Sequence, residues 1–118
     1  MLPENTILGK LTILETFAYY DRPIFFLAEN GKGFLFIVLL IDEIELNLFK
    51  DRKINEVWLY ALTDGHTVDD LKDNKIDYRS AILKSTCFFE VTTGMTTEIK
   101  TISAPSEDDL PTEDAFYP

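Results

Sequence analysis

The sequence predicts an α+β fold: a mostly antiparallel meander sheet of about six strands, two short helices inserted before the last strand pair, and an acidic C-terminal tail. Three observations support it. Eight apolar residues occupy positions 34–41 without interruption, two short amphipathic segments follow residue 63, and residues 104–118 contain three prolines, five acids and no base. At 118 residues the chain matches the commonest domain size, so we expect one α+β domain over residues 1–103 and a tail over residues 104–118.

Residues 34–41, Phe-Leu-Phe-Ile-Val-Leu-Leu-Ile, form the centre of the predicted sheet. A membrane-spanning helix needs about 20 apolar residues, so this run is too short to cross a bilayer. Its β-branched and aromatic content is typical of a strand that is buried on both faces.

The first strand is predicted over residues 11–17, where Glu15 breaks an otherwise alternating pattern. Residues 20–23, Tyr-Asp-Arg-Pro, follow as a turn, because aspartate can bond its own backbone and proline fixes φ. The residues predicted to share one face of this strand are Leu11, Ile13 and Phe17.

Asn30 and Gly31 separate the second predicted strand, residues 24–29, from the third. Asparagine followed by glycine suits the two positive-φ positions of a type I′ turn, so we predict a two-residue hairpin. Such a turn fixes the register of the two strands. The predicted cross-strand pairs are Glu29 with Lys32, Leu27 with Phe34, and Phe25 with Phe36.

Residues 42–48 alternate acid or amide with aliphatic side chains. This pattern predicts a half-exposed strand, with a helix as the alternative. A charged turn is predicted over residues 49–53, and a further antiparallel strand follows over residues 54–62.

Two short helices are predicted next. Thr67 with Asp70 approximates a capping box, and this first helix is expected to end near Asn74. Asp77 is the predicted N-cap of a second helix over residues 78–84. The last predicted strands are residues 87–93 and 97–103.

The composition narrows the class of protein. Twenty-one acidic residues against eleven basic ones give a formal charge of −10, which opposes binding to nucleic-acid phosphates and anionic lipid and suits a partner with a basic surface. Cys87 is the only cysteine, so the chain cannot form an intramolecular disulfide or a cysteine-based zinc site of its own. The first ten residues lack the basic leader of a signal peptide, so we expect a cytoplasmic protein.

Four carboxylates, those of Asp42, Glu43, Glu45 and Glu56, are expected near one strand crossing and are the ligand type that Mg²⁺ accepts. Strand alternation sends Asp42 to the opposite face from Glu43 and Glu45, which favours a solvated acidic edge over a metal site. A metal-dependent enzyme using these acids is one alternative function.

Other reactive residue types occur singly. Glu98 and Lys100 have the Glu-x-Lys spacing of metal-dependent nucleases, but ordinary alternation on an edge strand explains it. His66 is expected as an exposed turn histidine and Cys87 as a small buried residue. We therefore predict no cofactor and no catalytic residue.

Two polar or aromatic clusters are predicted to be structural. Arg79, beside Asp77 and Tyr78, can clamp a carboxylate in two bonds and hold the helical connector against the sheet. Trp58 and Tyr60 share one strand face and are expected in the core, because large aromatic side chains dominate interiors.

Three segments carry a resemblance to a known family: residues 57–60 (Val-Trp-Leu-Tyr), 76–81 (Ile-Asp-Tyr-Arg-Ser-Ala) and 88–91 (Phe-Phe-Glu-Val). Residues 8–11, residues 19–23 and a Leu-Pro in the tail fit the same pattern. Through them nearly the whole chain resembles a small bacterial family, domain of unknown function 6575. The resemblance implies a stand-alone cytoplasmic α+β protein with no established activity, so it assigns no site residues. The segment between residues 41 and 54 is longer than in the family and leaves the register there open.

The charge, the tail and the lack of a catalytic constellation together predict a non-enzymatic module that binds another protein. We expect an accessory, antitoxin, immunity or inhibitor subunit of a bacterial or phage defence-type system. A second binding alternative is a nucleic-acid mimic, whose carboxylates occupy the phosphate path of a DNA-binding enzyme. Acids would steer the partner and aromatics would anchor it. The predicted partner-binding residues are Asp42, Glu43, Glu45, Asp108, Asp109, Phe116 and Tyr117.

Overall fold

Six antiparallel strands form one sheet, in which neighbours in space are also neighbours in sequence. The computed structural model describes residues 8–48, 51–94 and 97–118. Its elements in chain order are β1 Leu11–Tyr19, β2 Pro23–Asn30, β3 Leu35–Leu48, β4 Asp51–Thr63, α1 Gly65–Lys72, α2 Tyr78–Leu83, β5 Phe88–Thr93, β6 Glu98–Ile102 and a 3₁₀ turn Glu107–Asp109. The predicted six-stranded meander with two short helices is confirmed.

The predicted central strand lies in β3 from Leu35 onwards and is buried on both faces there, whereas Phe34 precedes β3 and is 53% exposed. Ile37 packs into a core cluster that includes residues of α1 and α2, whereas Phe36 and Val38 pack into a second cluster on the opposite face. In the described part of the chain, this second cluster contains no helix residue. The helices therefore cover only one face of the sheet.

The predicted register between β2 and β3 is wrong. Leu27 pairs with Ile37 and Phe25 with Leu39, so each partner lies three residues further along β3 than predicted. The reason is the buried side chain of Asn30, whose Oδ1 accepts the backbone N–H groups of residues 32 and 34 at 3.0 and 2.9 Å. These bonds, with Gly33 at φ +87°, close a longer loop than a type I′ turn. The odd shift puts Phe36 on the face opposite to Phe25.

The prediction that Leu11, Ile13 and Phe17 share one face of β1 is also wrong. Register shifts interrupt its pairing with β2 between Ile13 and Glu15 and again near Ala18. Each bulge adds a residue and so reverses which face the following side chains occupy. As a result Leu11 packs into the second cluster and Phe17 against the first.

The helix caps agree with the prediction in one case and differ in the other. Asp77 is the N-cap of α2, as predicted, and its Oδ1 accepts the N–H of Ser80 at 2.8 Å. The N-cap of α1 is Asp64 and not Thr67, since Asp64 Oδ1 accepts the Thr67 N–H at 2.7 Å. Aspartate is the stronger N-cap residue of the two, so the helix begins three residues earlier than predicted.

Residues 42–48 are a strand, which decides between the two predicted alternatives. They extend β3, and β4 already begins at Asp51 instead of Ile54. The predicted turn over residues 49–53 is therefore too long at its C-terminal end. Its residues 49 and 50 lie outside the part of the chain that the structure describes.

The C-terminal tail folds back on the domain. Leu110 is buried in the first core cluster, and Ala115 and Tyr117 pack against it. The predicted tail was extended or disordered unless something holds it, and α2 holds it here. Tyr78 N–H donates to the Ala115 carbonyl at 2.9 Å, and Arg79 Nη1 donates to the Pro111 carbonyl at 3.2 Å. Arg79 thus clamps the tail instead of holding the connector against the sheet.

Asp77 links the α2 cap to the tail through its two carboxylate oxygens. While Oδ1 caps the helix, Oδ2 accepts the backbone N–H of Asp114 at 3.0 Å. The bonds from Ser80, followed by the bond from Asp114, lower the pKa of Asp77. A carboxylate with a lowered pKa stabilises the fold above its unfolded pKa of about 3.9, and this contribution is lost as the pH falls through the folded pKa.

We expect Asp77→Asn to destabilise the protein by about 0.5–1 kcal/mol and Asp77→Ala by about 1–2 kcal/mol at pH 7. Asparagine keeps a capping oxygen but loses the second acceptor, whereas alanine loses both. Urea unfolding at pH 7 and pH 3 measures the difference. The gap between wild type and Asp77→Asn should narrow at pH 3, because the unfolded carboxyl is then largely protonated and the lowered native pKa stabilises the fold less. An equal gap at both pH values would contradict the assigned role of the charge.

Candidate functional site

A two-stranded arm extends beyond the rest of the sheet. Pairing of β2 with β3 ends at Phe25 and Leu39, and pairing of β4 with β5 ends at Glu56 and Thr93. Beyond these points β3 and β4 pair only with each other among the described residues. We call residues 42–48 and 51–55 the β-arm.

The β-arm begins at a bulge in β3. Leu40 pairs with Trp58, but the next pair is Asp42 with Val57, so Ile41 has no partner of its own in β4. A bulge of this kind bends the strand and reverses the side-chain alternation. Beyond the bulge, each β3 side chain therefore lies on the opposite face from the one that the alternation before the bulge would give it.

Three of the predicted partner-binding acids lie together at the base of the β-arm. Asp42, Glu43 and Glu45 are all exposed, and Asp42 Oδ1 accepts the N–H of Glu43 at 2.8 Å. Alternation places Asp42 on one face and the two glutamates on the other, as predicted. Two aliphatic side chains lie among them, with Ile44 44% and Ile54 50% exposed. The surface combines acids with apolar groups on both faces.

A pair of opposing carboxylates at this position is balanced by an arginine that the sequence analysis missed. Glu43 lies directly opposite Glu56 in the register, an arrangement that is destabilising between like charges. Arg22 forms an ion pair with the Glu56 carboxylate, and its guanidinium lies 5.8 Å from the centroid of the Trp58 ring. The only sequence signal for Arg22 was its place in a predicted turn, because its partners are far away along the chain.

Two exposed aromatic rings lie at the end of β1 and in the turn that carries Arg22. Tyr19 and Tyr20 are 68% and 75% exposed. Since Arg22 contacts Glu56 at the base of the β-arm, this turn and the arm belong to the same end of the molecule. The signal in the sequence was the pair of adjacent tyrosines, of which Tyr20 opens the predicted turn.

Two cavities open on the face that the helices leave uncovered. Leu11, Phe26, Trp58 and Tyr60 help to line one of about 260 Å³, and the other, near Cys87, measures about 230 Å³. Tyr60 is buried as predicted and its burial raises its pKa, whereas Trp58 is only half-buried. Ligand sites usually occupy about 300–1,000 Å³, so both cavities are small for a metabolite.

The predicted tail residues lie on separate elements from the β-arm acids. Asp108 is exposed and Asp109 half-buried in the 3₁₀ turn, and Phe116 is 44% exposed. Tyr117 is engaged within the chain: its ring packs 6.1 Å from that of Phe17, and its hydroxyl donates to the Glu15 carboxylate. Phe116 is therefore the more accessible aromatic of the tail.

Glu15, which interrupted the pattern of β1, joins three parts of the fold. Its carboxylate accepts the Tyr117 hydroxyl, and its Oε2 lies 2.9 Å from Lys72 Nζ in α1. The hydrogen bond from Tyr117 and then the interactions with Lys72 lower the pKa of Glu15, while the same contacts raise the pKa values of Tyr117 and Lys72. The cluster holds the tail against the sheet and α1.

The other reactive residues named in the sequence analysis do not form a common site. His66 is exposed on the first turn of α1, 3.6 Å from Asp70, Cys87 is half-buried, and Glu98 and Lys100 are exposed on β6. Across residues 8–48, 51–94 and 97–118, no group of three or more His, Cys, Asp or Glu side chains could hold a metal ion. Within the same ranges, no helix is both long and apolar enough to cross a membrane.

Comparison with known proteins identifies a family. No curated protein and no solved structure matches the chain. A family model described only as a family of unknown function, DUF6575, matches residues 1–114, which is nearly the whole chain. This chain, with its six-stranded meander and β-arm, therefore belongs to the DUF6575 family.

Proposed function

We propose that this protein is a non-enzymatic interaction module that docks on a basic surface of another protein through the base of its β-arm. The observation that carries the proposal is the placement of three exposed acids, Asp42, Glu43 and Glu45, around exposed aliphatic side chains on a strand pair that extends beyond the sheet. Acids of this kind steer a basic partner, and exposed apolar side chains give it contact area.

The charge of the whole molecule supports the same kind of partner. At −10, the chain repels nucleic-acid phosphates and anionic surfaces and attracts cationic ones. The tail adds Asp108 and Phe116 as a second candidate contact, separate from the β-arm. A role as an accessory, antitoxin, immunity or inhibitor subunit stays a prediction, which the identity of the bound partner would decide.

Neutralising the three β-arm acids together, by Asp42→Asn, Glu43→Gln and Glu45→Gln, should weaken binding to a partner captured from the native host about tenfold. Each exposed charge pair contributes about 0.5 kcal/mol, and about 1.4 kcal/mol corresponds to a factor of ten. The measurement is calorimetric titration of the captured partner at low and high salt. The loss should be larger at low salt, because salt screens exposed charges.

The matched control changes the net charge equally at exposed acids elsewhere, by Asp69→Asn, Asp73→Asn and Glu98→Gln. We expect this variant to bind within about twofold of wild type. If both variants lose affinity equally, the attraction comes from net charge and not from the β-arm. If neither variant loses affinity, the proposal is wrong.

The nucleic-acid mimic is distinguished by competition. Duplex DNA should displace the protein from its partner if the carboxylates occupy a phosphate path, and should leave it bound otherwise. A mimic needs acids along one continuous face, whereas Asp42 lies on the opposite face of the β-arm from Glu43 and Glu45. We therefore expect no displacement.

A further inference from the structure

The outer edge of the β-arm is a strand edge without a partner strand. Over residues 42–48, β3 pairs with β4 on one side, and no strand in the described ranges pairs with its other side. Seven residues in extended conformation span about 23 Å, which is longer than the five to six residues of an average strand. An edge of this length is a template on which another strand can form main-chain hydrogen bonds.

β2 does not cover this edge, because it begins at Pro23 and its pairing with β3 ends at Phe25. Continuing the register from Phe25 and Leu39 would set Pro23 opposite Ile41. Proline has no N–H to donate, so Pro23 could not add a donor to a ladder with β3 at that position. At the place where β2 stops, Leu40, Ile41, Asp42 and Glu43 line an open, shallow hollow of about 390 Å³. Its lining begins at Leu40, one residue beyond Leu39, where pairing with β2 ends.

We propose that the outer edge of residues 42–48 binds an extended basic segment of the partner protein by strand addition. This inference rests on the proposed function. The segment would alternate lysine or arginine with aliphatic residues. Its aliphatic side chains would lie on the face of Ile44, which is 44% exposed, and its basic ones on the opposite face, beside Glu43 and Glu45. Cross-strand pairs of opposite charge stabilise a sheet, so the charges select the occupant.

A second copy of this chain is the competing occupant and is disfavoured by charge. Residues 42–48 contain three acids and no base. Pairing two copies edge to edge through these residues would bring carboxylates of like charge together, which destabilises a sheet. A dimer that protects this edge would therefore contradict the proposal.

The probe for this inference is a synthetic peptide, acetyl-Thr-Lys-Val-Lys-Val-Lys-Thr-amide, titrated into the full chain. Two further peptides carry N-methyl groups, one on the three lysines and the other on the two valines. In a strand, alternate N–H groups point to the same side, so only one of the two sets faces the edge of β3. We expect one N-methylated peptide to bind at least tenfold more weakly and the other to bind within threefold of the unmodified peptide.

Hydrogen exchange of the backbone amides over residues 42–48 gives a second readout, which should slow when the unmodified peptide binds. Equal affinity of all three peptides, or no binding of the unmodified one, would overturn strand addition. Neither result would touch the proposed function if the β-arm acids still govern capture of the native partner. Conversely, if neutralising those acids leaves capture unchanged, the proposed function fails whatever the peptides do. Slow exchange without peptide that depends on protein concentration would identify the second copy and also overturn the inference.

Discussion

Leu110→Ala should lower the free energy of unfolding by about 2–4 kcal/mol, although Leu110 lies in the segment whose composition predicts a tail. Its side chain is 8% exposed and belongs to the core cluster shared by the sheet and both helices. Truncating a buried leucine loses its transfer free energy and leaves a cavity. Because Leu110 directly precedes Pro111, whose carbonyl accepts the Arg79 hydrogen bond, its loss should also loosen residues 104–118. Urea unfolding monitored by circular dichroism measures the loss.

Leu83→Ala is the matched control, because Leu83 is 48% exposed at the end of α2. We expect that change to cost less than about 1 kcal/mol, since little apolar area leaves the core. If Leu110→Ala costs no more than Leu83→Ala, the tail contributes nothing to the fold. Residues 1–103 would then be a complete domain, with the boundary that the composition predicts.

Gly94→Ala should destabilise the protein by about 2 kcal/mol or more, through strain at the base of the β-arm. Gly94 has φ +135°, a conformation that side chains with a Cβ rarely adopt. A Cβ added there would lie 2.8 Å from the Ile54 carbonyl oxygen and would collide with the Asn55 amide. Both obstacles belong to β4, so the strand cannot relieve the contact without shifting the β-arm. Thermal and urea unfolding measure the cost.

Gly31→Ala provides the control for the Gly94 substitution. Gly31 lies in the loop between β2 and β3, and an added Cβ meets nothing within 4 Å. We expect a change within about 1 kcal/mol, because the backbone there does not require the left-handed region. Equal effects of the two substitutions would mean that the close approach of Gly94 to β4 is absent in solution.

Local chemistry was sufficient where a single segment decides the outcome. The apolar run over residues 34–41 predicts a strand buried on both faces, and all of it except the exposed Phe34 lies in β3. Asp77 predicts the start of α2, because its oxygen satisfies an N–H only three residues away. The acids of residues 42–45 are recognisable as a surface feature for the same reason.

Contacts between segments that are distant in sequence decided the strand register and the length of the β-arm. The sequence predicts Asn30 as the first residue of a two-residue turn. In the structure its side-chain oxygen accepts two backbone N–H groups of a longer loop, and the register shifts by three residues. β2 begins at Pro23, and beyond the bulge at Ile41 β3 and β4 continue together as the β-arm. None of these outcomes follows from alternation, because alternation says which residues share a face but not which strand lies beside them.

The sequence by itself determined the strands of the meander, the start of the second helix and the acidic surface, since these depend on neighbours along the chain and on composition. Only the tertiary structure decided that Leu110 and Tyr117 bind the tail to the domain and that residues 42–48 keep an open edge. The physical reason is the same in both cases. A side chain or a strand edge is buried or left open according to which remote segment packs on it, and that choice depends on the whole fold.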